Sequence, residues 1–389
     1  MTKKILYWII LLLIIILPLE LISYHLYHKY YGYSPIDNPP PELVKIYKKY
    51  NVDYQELVKE NDYLYYGRGC IYHPYRWYML EKNYNGRYIK LDKYGFRIDR
   101  QSINGNAVKI ACFGGSTMYS ISTAEDGTIP YFLNKKLNND TAIALNYGIG
   151  GYSSSAELTT LIEVKRYDKN IKYAIFYDGV NEIGRYIEYL QMGPESPVFN
   201  YMGYPFYWTE KYSLLKYLKI NPPGSEYRPY LYKFIKKQVD KITASRSPKK
   251  ILIKDYDKAA DTIVGIYVNN VKDINTICQA SNITPIFILQ PTIYLTNMEK
   301  LTPREKYIAK HTYSDVDITR LYKLVYQKIR NNEFLQKMIF SDLSGALNNS
   351  PSEEHFYDDC HLFNNGNEIV ANKLYNVLTK YVPQNYIKN

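Results

Sequence analysis

At 389 residues with 46% hydrophobic content, the chain has ample apolar material for a packed core, which excludes disorder throughout. The formal net charge is +11, but Lys and Arg are scattered, with only short clusters such as "SPKKILIKDYDK", and this argues against a nucleic-acid partner. The 46 tyrosines are spread over the whole length together with heavy Ile, Asn and Lys usage, a genome-wide bias rather than an aromatic binding surface.

Lys3 and Lys4 precede an apolar run from Ile5 to Leu19 that continues, interrupted by Pro18 and Glu20, to about Ser23. A bilayer core needs roughly 20 residues of helix, a length this run reaches if Glu20 lies at the interface. The residues that follow, "ELISYHLYHKYY", are large and offer no small-x-small cleavage site. An uncleaved signal anchor over 5–23 is therefore expected in preference to a cleaved signal peptide or a buried helix. Positive-inside bias leaves 1–4 as a cytoplasmic tail and the body extracytoplasmic and membrane-anchored, although His28 and Lys29 weaken the asymmetry.

The segment 24–60, with "YYGYSPIDNPPPELVK", is rich in Pro and Tyr and reads as an extended stalk or linker. Residues 61–106 follow with short alternating runs such as "RYIKL" separated by turn residues, which predicts a small Tyr-rich β elaboration packed on the main domain.

From 107 to 383 the rhythm changes. "AVKIACF", "TAIALNY", "IKYAIFY", "ITPIFIL" and "KMIFSDL" are short, nearly continuous apolar runs, as in strands covered on both faces. Steps of three and four link Ala260, Ile263, Val264, Tyr267, Val271, Ile274 and Cys278 on one helix, and Ile369, Val370, Leu374, Val377 and Tyr381 on another. The pattern predicts an α/β fold, a three-layer α/β/α arrangement around a mostly parallel five-stranded sheet. Ligands in such sheets bind beyond the carboxyl ends of the strands. The stretch 191–256, with "MGPESPVFNYMGYPFYWTEKY", interrupts the rhythm as an insertion, a lid, a membrane-facing surface or a partner contact. Cys70, Cys112, Cys278 and Cys360 are too few and too dispersed for a disulfide scaffold or a zinc site, and leave room for one bridge.

Four constellations bear chemistry. In "FGGSTM", Ser116 follows a strand and two glycines that ease a turn; it is a candidate nucleophile, with an ordinary turn as the alternative. The motif is neither a phosphate-binding loop nor a G-x-S-x-G elbow, because no "GK[ST]" follows and Met118 stands where the second glycine would be. In "YDDCHLFNNGNEI", Asp358 and His361 are three apart, close enough for the carboxylate to hold the imidazole by Nδ1 and leave Nε2 for a serine proton. Among the six histidines, His25, His28, His73, His311 and His355 lack that context; a capping role for His361 is the alternative. Gly151 in "NYGIGGYSS" and Asn181 in "YDGVNEI" follow the second and third strands, where oxyanion donors would come from, although each segment alone reads as a loop.

Together these blocks resemble the SGNH (GDSL-like) hydrolases over about residues 107 to 383, with the flavodoxin-like fold that family implies. The resemblance implies Ser116 as nucleophile, His361 with Asp358 as base and orienter, and the Ser116 and Gly151 amides with Asn181 as the oxyanion hole, with no cofactor and no metal. "IYHPYRWYMLEKNYNGRYIKLDKYGFR" also looks like the "HPY…G…GFR" prelude of an envelope-associated bacterial branch. Two departures are "GGS" for the commoner "GDS" and "DGVNE" for "GxND", the latter placing Glu182 where Asp is usual. The implied activity is ester hydrolysis through an acyl-enzyme on O-acyl groups of envelope carbohydrate, O-acetyl first, with lipid as the competing substrate. An O-acetyltransferase and a catalytically silent glycan-binding module are the alternatives.

Overall fold

The computed structural model describes residues 39–98, 107–192, 253–313, 316–350 and 353–388, with isolated positions at 14, 18, 19, 21–23 and 26. The chain divides into two compact units, 41–187 with 252–389, and 1–40 with 188–251. The second falls almost wholly outside the described residues, as do the expected anchor at 5–23 and positions 193–252 of the expected insertion. No helix among the described residues is long and apolar enough to cross a membrane.

Residues 41–60, expected as part of an extended stalk, are instead two helices, α1 (Pro41–Lys49) and α2 (Tyr54–Asn61). The proline run hid a helix start, since Pro41 opens α1 at the position where its missing N–H costs nothing. Leu43, Ile46 and Tyr47 then repeat at helical spacing and are buried. Asp53 caps α2 by accepting from the Gln55 and Glu56 amides. Beyond it the Tyr-rich segment has the expected short strands, β1 (Cys70–His73) and β2 (Trp77–Leu80), paired antiparallel. Isolated bridges join Asn85 to Lys90 and Leu91 to Arg97.

The five apolar runs form one parallel sheet. Its strands are β3 (Val108–Gly114), β4 (Ala142–Asn146), β5 (Ile171–Asp178), β6 (Thr284–Leu289) and β7 (Phe340–Asp342), in the order β4-β3-β5-β6-β7. The intervening helices are α3 (Ser116–Tyr119), α4 (Ile129–Asn134), α5 (Ser154–Tyr167), α6 (Val180–Met192), α7 (Tyr256–Ala280), α8 (Pro303–His311), α9 (Ile318–Arg330), α10 (Glu333–Gln336) and α11 (Asn364–Leu378). α7 packs on α5 and α9, while α4 packs on α11, giving the expected three layers. Parallel strands require such crossovers, and burial on both faces explains their unbroken apolar character.

In-register Phe113, Phe176 and Phe287 stack across β3, β5 and β6, with ring centroids 5.0 and 5.4 Å apart. This aromatic rung lies next to the carboxyl ends and fixes them relative to one another. The stripe on α7 is buried from Ala260 to Cys278 as expected. The stripe on α11 is shifted: Val370, Ala371, Leu374 and Leu378 are buried, whereas Tyr381 lies past the helix end and is exposed. All four cysteines are buried, and none is joined to another in a disulfide.

The chain reverses direction across the sheet between β3 and β5, since β4 lies on one side of β3 and β6 on the far side of β5. That switch point is where doubly wound sheets open a crevice for ligands. The loops after β3, β4 and β5 carry Ser116, Gly151 and Asn181 to it.

Candidate active site

β3 ends at Gly114, and Ser116 opens the single-turn α3, which Ser120 closes in the left-handed region (φ 62°). The Ser116 amide lies in the first helical turn, where no intrahelical acceptor exists for it. A Cβ on Gly115 would stand 1.9 Å from Asn181 Nδ2 and 2.9 Å from the Tyr152 carbonyl, so only glycine lets Asn181 approach this closely. Gly151 turns the β4 loop with φ 70°, again in the left-handed region. Asn181 Nδ2 donates to the Tyr152 carbonyl at 2.6 Å, which orients the amide and leaves its second hydrogen for a ligand.

The base arrives from the turn before α11. Ser116 Oγ lies 2.7 Å from His361 Nε2, and His361 Nδ1 lies 2.6 Å from Asp358 Oδ2. A carboxylate only accepts, so the Nδ1 proton faces Asp358 and Nε2 is free to accept from Ser116. Asp358 Oδ1 also accepts from the Cys360 and His361 amides at 3.0 and 2.8 Å, an Asx turn that sets the imidazole's direction. The turn is tied down elsewhere: the Asp359 carbonyl accepts from Ile293 N at 3.0 Å, and Arg304 Nη1 donates to the Tyr357 carbonyl at 2.9 Å. Ser122 Oγ donates to the Leu362 carbonyl at 2.7 Å and joins the nucleophile's loop directly to the base's turn.

Ser116, Gly151, Asn181 and His361 are each partly exposed, while their neighbours Thr117, Tyr152, Glu182 and Leu362 are buried. The five sequence-predicted residues therefore meet at one solvent-accessible place.

Electrostatics favour a base that gains a proton readily. Burial pushes the His361 imidazole down, but the Asp358 carboxylate beside it, helped by Asp359, outweighs this and leaves it raised. Burial likewise pushes Asp358 up, and His361 with the two turn amides holds it below the usual carboxylate range. The Asp358 side chain is 38% exposed, so the pair matters for orientation more than for stability. Asp359, half-buried and next to Asp358, is pushed up to about 6, and Tyr294 donates to it at 3.1 Å. Asp358, Cys360 and His361 bring donor atoms within 4.8 Å of one another, a set that could hold a metal ion. Burial, then Asp359 and Asp358, push the Cys360 thiol well up, however, and His361 Nδ1 and Asp358 are already engaged with each other. The set fits an acid–base pair better than a metal centre.

Several residues that shape the site carry no motif signal. Arg97, 3% exposed, donates to the carbonyls of Tyr119, Ser120 and Thr123 at 2.8, 2.7 and 2.6 Å, satisfying the end of the nucleophile's helix. Asn146 links the β4 loop to α3, donating to the Met118 carbonyl at 3.1 Å and accepting from Gly148 N at 3.0 Å. Glu182 accepts from Ser154 N and Gly179 N, both at 2.8 Å, and so joins the two loops that bear Gly151 and Asn181. Tyr65 Oη accepts from Gly150 N at 3.0 Å. Of these, Arg97, in "GFR", Asn146, in "NYGIGGYSS", and Glu182, in "DGVNE", sit in segments the sequence singled out, but none was picked out there for this supporting role. Beneath Glu182 lie Glu157 and Asp178: burial, then repulsion by Asp178 and Glu182, pushes the Glu157 carboxyl well above the usual range, and burial, then repulsion by Glu182, does the same to Asp178.

No family model and no curated protein matches the chain. Solved structures similar to it include a member of the lipolytic protein G-D-S-L family from Veillonella parvula DSM 2008 (11% identity, 70% of this chain and 100% of that chain, TM-score 0.38). Others are a GDSL-like lipase from Bacteroides thetaiotaomicron VPI-5482 (11%, 70% and 89%, TM-score 0.34) and an acetylxylan esterase from Geobacillus stearothermophilus (11%, 73% and 98%, TM-score 0.35). Two of the three carry the family name the motifs suggested. At identities and TM-scores this low, the chemistry of the site rests on its own geometry.

Proposed function

We propose that the chain is a serine-dependent ester hydrolase of the SGNH type that removes O-acyl groups, O-acetyl first, from carbohydrate of the cell envelope. The observation that carries the reading is the pair of short contacts Ser116 Oγ to His361 Nε2, 2.7 Å, and His361 Nδ1 to Asp358 Oδ2, 2.6 Å. In this mechanism Ser116 Oγ attacks the ester carbonyl as His361 Nε2 takes its proton, and the Asp358 carboxylate stabilises the imidazolium. The Ser116 and Gly151 amides and Asn181 Nδ2 receive the oxyanion. Collapse expels the sugar alcohol, which takes the proton from Nε2. Water then attacks the acyl-enzyme and gives its proton to Nε2, and collapse releases acetate as Nε2 returns that proton to the departing Ser116 Oγ. The carbohydrate substrate is supported, for location, by the apolar run at 5–23, which we read as an anchor holding the body outside the cytoplasm.

Incubating the protein with p-nitrophenyl acetate and a fluorophosphonate probe, beside Ser116→Ala, tests the reading. Wild type should hydrolyse the ester and be labelled, and the variant should do neither. Labelling that persists in Ser116→Ala, or is absent from both, overturns it. Adding a glycan acceptor to the same assay separates hydrolase from transferase by whether acetate or acetylated glycan accumulates.

A further inference from the structure

We propose that Trp77 and Arg185 form a sugar subsite beside the oxyanion loop, which takes a pyranose ring of the acylated carbohydrate; this rests on the ester-hydrolase reading above. Trp77 opens β2 with φ 68°, in the left-handed region that bulky side chains rarely occupy. Backbone in that region persists only when its surroundings hold it, and it gathers at functional sites. The surroundings here do hold it. Trp77 pairs with His73 across the hairpin, and the buried Arg76 next to it reaches Glu163 at 2.9 Å. Tyr152 Oη, one residue past Gly151, donates to the Tyr78 carbonyl. The hairpin is thus bolted to the oxyanion loop, yet 37% of Trp77 faces solvent.

Arg185, one turn along α6 from Asn181, links the indole to the reaction centre. Its guanidinium lies 5.7 Å from the Trp77 ring centroid, and its Nη2 donates to the Gly151 carbonyl. A pyranose has an apolar C–H face rimmed by hydroxyls. An exposed indole covers such a face, and a planar guanidinium offers donors to the rim. A long acyl chain, by contrast, is matched by an all-apolar channel rather than an aromatic ring carrying a cation. A sugar stacked on Trp77 would present a neighbouring ester to Ser116 with its carbonyl toward Gly151.

Steady-state kinetics of the full chain in detergent should compare an acetylated xylo-oligosaccharide with p-nitrophenyl acetate in wild type, Trp77→Ala and Trp77→Phe. Stacking on an aromatic ring is worth roughly tenfold in affinity. Trp77→Ala should therefore raise KM for the oligosaccharide about tenfold more than for p-nitrophenyl acetate, and Trp77→Phe should restore most of the difference. An equal loss on both substrates in Trp77→Ala overturns the subsite. A fluorescence titration of Ser116→Ala with the same oligosaccharide separates the two proposals. A change in tryptophan emission that disappears when Trp77→Phe is added supports the subsite even if wild type cleaves neither substrate. Its absence overturns the subsite even if p-nitrophenyl acetate is hydrolysed.

Discussion

The guanidinium of Arg97 meets the carbonyl of Ser120 at 2.7 Å, four residues past Ser116. A residue from the prelude thereby completes the turn that presents the nucleophile. It also donates to the Tyr119 and Thr123 carbonyls, so one buried cation satisfies three backbone acceptors, and no carboxylate among the described residues is bonded to it. Replacing it with Ala leaves the Tyr119 and Thr123 carbonyls buried without that donor, while the Ser120 carbonyl keeps its bond from Thr123 N at 3.1 Å, at a cost of about 1–3 kcal/mol. Arg97→Ala should lower Tm and kcat together with little change in KM, and Arg97→Lys should recover only part of either, because an ammonium cannot fork across three carbonyls. Thermal melts and p-nitrophenyl acetate kinetics check this; unchanged kcat in Arg97→Ala would remove the residue from the positioning of Ser116.

Gly115→Asp restores the commoner "GDS" motif and should nevertheless harm this enzyme. The new Cβ would displace Asn181 Nδ2, 1.9 Å away, and with it one oxyanion donor. Losing one such donor costs about 10²-fold or more in kcat. Asn181→Ala should show a similar loss, and the double variant should be little worse than either single one. Independent, multiplying losses would mean that the two positions do not act through the same contact.

His361 works as a base only when neutral, and its imidazole is raised by Asp358. The acidic limb of the kcat/KM profile should accordingly lie above the ordinary imidazole value. Asp358→Asn removes the raising charge and the tautomer control, moving the limb to lower pH while kcat drops on the order of 10⁴-fold. The stability signs follow from the same shifts. The raised His361 contributes fully below its unfolded-state value, and that contribution is lost as pH rises through its folded value. The lowered Asp358 contributes above its unfolded value and loses this as pH falls through its folded one. A pH–rate profile with no acidic limb displacement in Asp358→Asn would contradict the pairing.

Glu157 and Asp178 are buried together, and both are favoured in their protonated forms. The folded state therefore binds more protons than the unfolded one above the ordinary carboxylate range, and stability falls as pH rises from there. Glu157→Gln keeps the shape without the proton requirement. Its denaturation midpoint should exceed that of wild type at about pH 8 and converge with it near pH 5. A constant difference across the range would mean that the two carboxyls do not titrate with folding.

The strands were legible because burial on both faces leaves unbroken apolar runs, and the acid–base pair because Asp358 and His361 are local in sequence. The supports were not. Arg97 works through backbone carbonyls, which have no residue identity to recognise, and Asn146 and Glu182 bridge loops whose proximity only the finished sheet creates. The helix at Pro41–Lys49 was hidden by composition: three prolines suggested an extended stalk, although the last of them starts a helix whose Leu43, Ile46 and Tyr47 keep helical spacing. Trp77 was masked differently. Among 46 tyrosines an aromatic surface looked like background, and only its backbone conformation and its contact with Arg185 set it apart.

Ser116 and the nitrogen that deprotonates it are 245 residues apart in the chain. A ribosome that has already released the nucleophile's strand must translate the 245 residues that separate the two before the base exists, so shorter products carry the serine without its reactivity. A nick that loosens the turn bearing His361 would abolish the proposed reaction in the same way, so ester turnover would also report whether the two halves of the site have closed on each other.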